Sequence, residues 1–134
     1  MAKLDHSKIS FYLYRLAGVL VPRIPPIISY PLFSLIGGLA HRLNGNARAN
    51  VRENIRHVLG PGASRAQVER LARATFDYVA YNYYDLFRLP TLSPDQVEAM
   101  VRIEGWENVE AALSLEKGVV MTSAHFGNIE IVLY

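Results

Sequence analysis

The stretch VRIEGWENVEAALSLEKGVVMTSAHFGNIEIVLY, residues 101–134, decides how the chain reads. Residues 101–104 alternate like an edge strand, and residues 106–116 then carry apolar side chains at helical spacing through Trp106, Val109, Ala112 and Leu113. Lys117-Gly118 ends that helix. Val119-Val120-Met121-Thr122 reads as a buried strand, residues 123–128 as a turn, and Ile129 as the start of another helix. Alternation of this kind predicts an α/β fold in which N-terminal helices precede the first strands of a mostly parallel sheet. Because the chain stops at Tyr134 as a helix begins, the expectation is a truncated sheet and a chain inactive by itself.

Working back from there, Ser93-Pro94-Asp95 opens a short helix. Ser64-Arg65-Ala66-Gln67 is a capping box that opens a long one, carried through Val68, Leu71, Ala72, Thr75, Phe76, Val79 and Tyr83 and closed by Pro90. The cluster Tyr78, Tyr81, Tyr83 and Tyr84 reads as core and interface packing. Asn44-Gly45-Asn46 starts a helix over residues 47–59, with Val51, Ile55, Val58 and Leu59 as its apolar stripe and Gly60-Pro61 as its end. Arg48, Arg52 and Arg56 recur every four residues and so share one face. Such a row either grips phosphates or is a solvated basic face.

The front of the chain is apolar over residues 9–21 and 27–40, each run too short for a spanning helix of roughly 18 or more residues. Arg15 interrupts the first run, and Pro22, Pro25 and Pro26 separate the two. Two interfacial helices are the first reading. A tilted single span, a signal peptide cleaved after Gly38-Leu39-Ala40, and helices buried in a larger core are the others. Residues 1–45 are thus expected to associate with a membrane, and residues 46–134 to form the first, incomplete part of a catalytic domain.

Charge supports a lipid surface. Up to Arg56 there are eight lysines and arginines against two acids; beyond it there are six against ten. A basic, apolar front half seeks an anionic membrane surface, and the acidic second half argues against nucleic acid. The absence of cysteine excludes disulfides, thiolate metal sites and cysteine nucleophiles, and permits a reducing compartment.

The candidate chemistry is His125 with Glu130 five residues on. Spacing alone is weak, since a composition of 4 His and 12 acids yields such a pair in about one chain of three. His6, His41 and His57 have Phe11, Asn46 and Gly62 at that distance. Context adds to the signal: a turn after a strand, Gly127 for close backbone approach, and Glu130 in a first helical turn whose free N–H groups suit an oxyanion. A catalytic pair and a structural, hydrogen-bonded histidine are both open on these grounds. One His and one Glu do not make a metal site.

Residues 122–130, TSAHFGNIE, resemble the H-x4-(D/E) motif of the bacterial lipid A acyltransferase family, usually A-H-F-G-N-W-E; Ile129 replaces the tryptophan. Asn50-Val51-Arg52-Glu53-Asn54-Ile55, Glu104-Gly105-Trp106-Glu107-Asn108 and Gly118-Val119-Val120 agree in order, so the resemblance covers nearly the whole chain. That family includes lauroyl and myristoyl transferases and acyltransferases of phosphatidylinositol mannosides. The resemblance implies transfer of a fatty acyl chain from acyl carrier protein or coenzyme A to a hydroxyl of a membrane glycolipid such as a lipid A precursor. The setting implied is the cytoplasmic face of the bacterial inner membrane. His125 would be general base, Glu130 would orient it, and no cofactor is needed beyond the donor thioester. A phospholipid-type acyltransferase and a non-catalytic, membrane-associated helical module are the alternatives.

Overall fold

The computed structural model describes residues 6–124 and 127–133. Its α-helices, in order, are α1 (His6–Leu20), α2 (Pro26–Leu43), α3 (Gly45–Leu59), α4 (Arg65–Arg88), α5 (Pro94–Glu98), α6 (Trp106–Leu113) and α7 (Ile129–Leu133). The chain divides into two compact units, Met1–Pro90 and Thr91–Tyr134.

The helix ends arise from local chemistry. Asn44 accepts from the Ala47 N–H at 3.0 Å to start α3, and Gly60, at φ +79°, ends it. At α4 the expected capping box is present in both directions: Gln67 N–H donates to Ser64 Oγ at 3.2 Å, and Ser64 N–H donates to Gln67 Oε1 at 3.0 Å. Ser93 and Gln96 repeat the device at α5, with Pro94 in the first turn. Gly105, left-handed at φ +82°, precedes α6.

In the first unit α2 and α4 run antiparallel. Position 30 meets 85, position 34 meets 77, and position 41 meets 69, so one index falls as the other rises. The seam on α2 is Ser29, Phe33 and Gly37, and on α4 it is Val68, Ala72, Ala80 and Tyr84, largely at four-residue intervals. Phe33, Ala80 and Tyr84 form the core, with Val21 and Tyr81 packed against them. Tyr84 is fully buried, and the ring of Phe33 lies 5.5 Å from its ring, that of Tyr30 5.1 Å. Gly37 makes the closest approach: a Cβ there would stand 2.7 Å from the Phe76 carbonyl oxygen. Pro31 sits inside α2, where it removes one backbone donor from the ladder.

Two sequence expectations shift by position. The tyrosine cluster splits: Tyr84 is core and Tyr81 half-buried, whereas Tyr78 and Tyr83 are exposed. In α3, Val51 and Ile55 are partly covered, but Val58 is 85% exposed, so the expected stripe ends a turn early.

The α/β expectation is overturned. Among the described residues there is no strand and no sheet; the chain is helical, and the segments read as strands, residues 101–104 and 119–122, are irregular. A strand exists only as one side of a ladder, its N–H and C=O groups paired with a neighbour. Alternation and β-branching supply the propensity for extended backbone but not the partner. Val120 is accordingly 90% exposed, where a buried strand would have hidden it. Gly118 at φ +75° and Glu116 at φ +53° turn the chain just before it.

Candidate functional site

The two candidate catalytic residues fall on the second unit. His125 lies outside the described residues, as does Phe126. The next residues are described. Gly127 adopts φ +64°, a left-handed turn that side chains with a Cβ rarely enter. Ile129 then opens α7, and Glu130 occupies its first turn, half-buried. The glycine turn and the helix start expected of this segment are therefore both present. A first turn carries backbone N–H groups with no intrahelical acceptor, which favour a carboxylate near them. Among the described residues no cluster of three or more His, Cys, Asp or Glu side chains is arranged to hold a metal ion.

Both units expose large apolar side chains; in the second these include Ile103, Leu115, Val120 and Met121, and in the first they follow the two leading helices. Along α1, Phe11, Tyr12, Leu13, Leu16 and Val19 are each more than half exposed. On α2, Ile27 and Leu43 are each 83% exposed, with Leu35 at 61% between them. Exposed patches of this extent mark surfaces that contact something other than water. No helix of the described residues is long and apolar enough to cross a membrane.

The arginine row of α3 is used differently at each position. Arg48 Nη1 donates to the carbonyl oxygen of His41 at 2.9 Å and to that of Arg42 at 3.4 Å, covering two of the last carbonyls of α2. Arg52 Nε donates to Glu69 Oε2 at 2.7 Å, joining α3 to α4. Arg56 is exposed and 3.6 Å from Glu53 on its own helix. Equal spacing puts the three on one face, yet among the described residues only Arg48 and Arg52 reach neighbouring helices.

A polar cluster that the sequence reading missed lies where α2, α3 and α4 meet. His41 Nε2 is 3.3 Å from Glu69 Oε1, and its imidazole meets the edge of Phe76 at 5.3 Å between ring centres. Arg73 pairs with Asp77 at 3.0 Å and donates to the Ser34 carbonyl oxygen at 3.2 Å, while Ser34 Oγ donates to Asp77 Oδ1 at 3.2 Å. The available signal was Glu69, Arg73 and Asp77 at four-residue intervals on α4, facing the polar end of an otherwise apolar α2.

Burial holds the His41 pKa below its ordinary value; Glu69 opposes the shift, and Arg48, Arg52 and Arg73 add to it. Glu69 is held below the usual carboxylate range, chiefly by the hydrogen bond from Arg52. Both shifts act in one direction. The unfolded chain binds protons on these groups at a pH where the folded chain does not, so their stabilisation is present near neutrality and lost on acidification. Thermal melts followed by circular dichroism should show a falling midpoint from just below pH 6.5, the ordinary histidine value. His41→Gln should flatten the upper part of that fall and leave the lower, carboxylate part. An unchanged pH profile in that variant would remove His41 from the account.

The family comparison gives the class: this is a chain of acyltransferase type. It belongs to the bacterial lipid A biosynthesis acyltransferase family, whose model matches residues 2–134. No curated protein and no solved structure matches the chain.

Proposed function

We propose that the protein transfers a fatty acyl chain from an acyl thioester, on acyl carrier protein or coenzyme A, to a hydroxyl of a membrane glycolipid such as a lipid A precursor. The observation that carries this reading is the run Ala124-His125-Phe126-Gly127-Asn128-Ile129-Glu130 within a chain matched from end to end by the family. In the reaction, His125 takes the proton from the acceptor hydroxyl as its oxygen attacks the thioester carbonyl. The carbon–sulfur bond breaks, the thiolate leaves with the proton from the imidazolium, and an ester remains. Glu130 orients the imidazole and stabilises its charged form. No enzyme nucleophile is required, in keeping with a chain without cysteine.

Membrane placement draws on a different feature. The apolar side chains exposed along α1 and α2 suit insertion to headgroup depth, and the basic residues of the front half suit the anionic cytoplasmic leaflet of the bacterial inner membrane.

The test is His125→Ala in the full protein, assayed for transfer of a labelled acyl chain to a lipid A precursor. The expected loss is about a hundredfold or more, the usual contribution of a positioned general base. Glu130→Gln should lose less, because the base itself remains. Undiminished transfer by His125→Ala would end the catalytic assignment and leave the non-catalytic helical module standing.

A further inference from the structure

A cleft of about 420 Å³ opens where the C-terminal end of α2 meets α3 and α4. Arg42, Arg48 and Arg73 line it with His41 and Glu69, and Leu35 and Leu39 form an apolar border. Among the described residues its charge is not balanced. Glu69 is held by Arg52, and Arg73 is paired with Asp77. Arg48 meets only backbone carbonyls, and Arg42 meets no carboxylate among the described residues.

Two donors of the arginines that line the cleft add to this. Arg48 Nε and Arg73 Nη1 are buried and meet no acceptor among the described residues. A buried N–H without an acceptor is costly, and a bound ion or water is one way such a group is satisfied. Gly38 admits this arrangement: a Cβ there would lie 2.8 Å from both terminal nitrogens of Arg73. The C-terminal dipole of α2 disfavours an anion, but Arg48 covers the carbonyls at that end.

We propose that the cleft binds a phosphate group, presented by a lipid headgroup or by a soluble phosphate. Planar guanidinium groups match phosphate oxygens in paired hydrogen bonds, and a dianion offsets two unbalanced arginines where a carboxylate offsets one. The cleft has room for the polar group that carries the phosphate. Leu35 and Leu39, 61% and 46% exposed, continue from it onto the apolar face of α2, the geometry an amphiphile requires. This site lies in the first unit, is built from other residues than His125 and Glu130, and does not rest on the acyl-transfer reading.

Inorganic phosphate titrated into the detergent-solubilised protein should shift the arginine Nε–H resonances saturably. Arg42→Gln removes an exposed group with no carboxylate partner among the described residues, so its melting curve should match the parent, while phosphate affinity falls about tenfold. Gly38→Ala, which pushes the Arg73 guanidinium aside, should weaken binding as well. A second arm compares flotation on phosphatidylcholine vesicles carrying phosphatidic acid or phosphatidylglycerol at equal surface charge. Arg42-dependent preference for phosphatidic acid assigns the phosphate to a lipid headgroup; Arg42-dependent binding of inorganic phosphate alone assigns it to a soluble compound. Binding that ignores Arg42→Gln in both arms, or no saturable binding in either, overturns the proposal.

Discussion

Replacing Gly37 by valine is expected to destabilise the first unit by about 3 kcal/mol, near the upper end of what overpacking a tight contact costs. The reason is the identity of the obstructing atoms. A Cβ at position 37 would lie 2.7 Å from the backbone oxygen of Phe76, 2.9 Å from Asp77 Oδ1 and 3.0 Å from the Phe76 carbonyl carbon. A backbone carbonyl in the middle of α4 cannot step aside without opening the helix seam. Alanine should do less harm, since its better helix propensity returns roughly 1 kcal/mol against glycine. The neighbouring Gly38→Ala is the internal control: there the nearest atoms belong to the guanidinium of Arg73, a side-chain end that can give where a helix carbonyl cannot, so its melting point should fall less. Thermal or denaturant melts of the three variants test the pair. Equal effects at 37 and 38 would show that the α2–α4 contact is looser than these distances require.

Tyr84→Ala should be at least as damaging, by about 4 kcal/mol, the usual loss when a buried aromatic is truncated. Tyr84 is fully buried and touches both sides of the core, with Phe33 and Tyr30 against its ring. The core has few other large members, so there is little to collapse into the cavity left by the ring. The hydroxyl matters much less. It donates to the Ile24 carbonyl oxygen at 3.5 Å, the long limit of a hydrogen bond, and Ser29 Oγ donates to the same oxygen at 3.3 Å. Tyr84→Phe should therefore stay within about 1 kcal/mol of the parent. Urea unfolding of both variants separates packing from hydrogen bonding; a phenylalanine variant as unstable as the alanine one would reverse that ranking.

Helices were legible in the sequence because their signals are local. Asn44, Gly60, Ser64 with Gln67, and Ser93 with Gln96 each set a helix end through contacts within four residues. The second unit misled for the opposite reason. Whether Val119-Val120-Met121 is a strand depends on a partner elsewhere, and apolar propensity says nothing about whether that partner is there. The candidate site shows the same division. The turn at Gly127 and the helix carrying Glu130 could be read from residue types, whereas the cleft around His41 joins three helices through side chains as distant in sequence as Ser34 and Asp77. Arg48 and Arg52 were visible as a face, but which of them meets carbonyls and which meets Glu69 is decided by packing alone.

The antiparallel pairing of α2 with α4 also sets an order of events during synthesis. α1 and α2 leave the ribosome before α4, and Ala80 and Tyr84, the core partners of Phe33, lie on α4, which ends at Arg88. Until α4 has emerged, the seam of α2 lacks the main surface it closes against. At elongation rates of about 5–20 residues per second, the interval lasts on the order of seconds. A nascent chain in that state is open to any apolar surface nearby, so the pace of translation, as well as the finished fold, decides what the seam of α2 meets first.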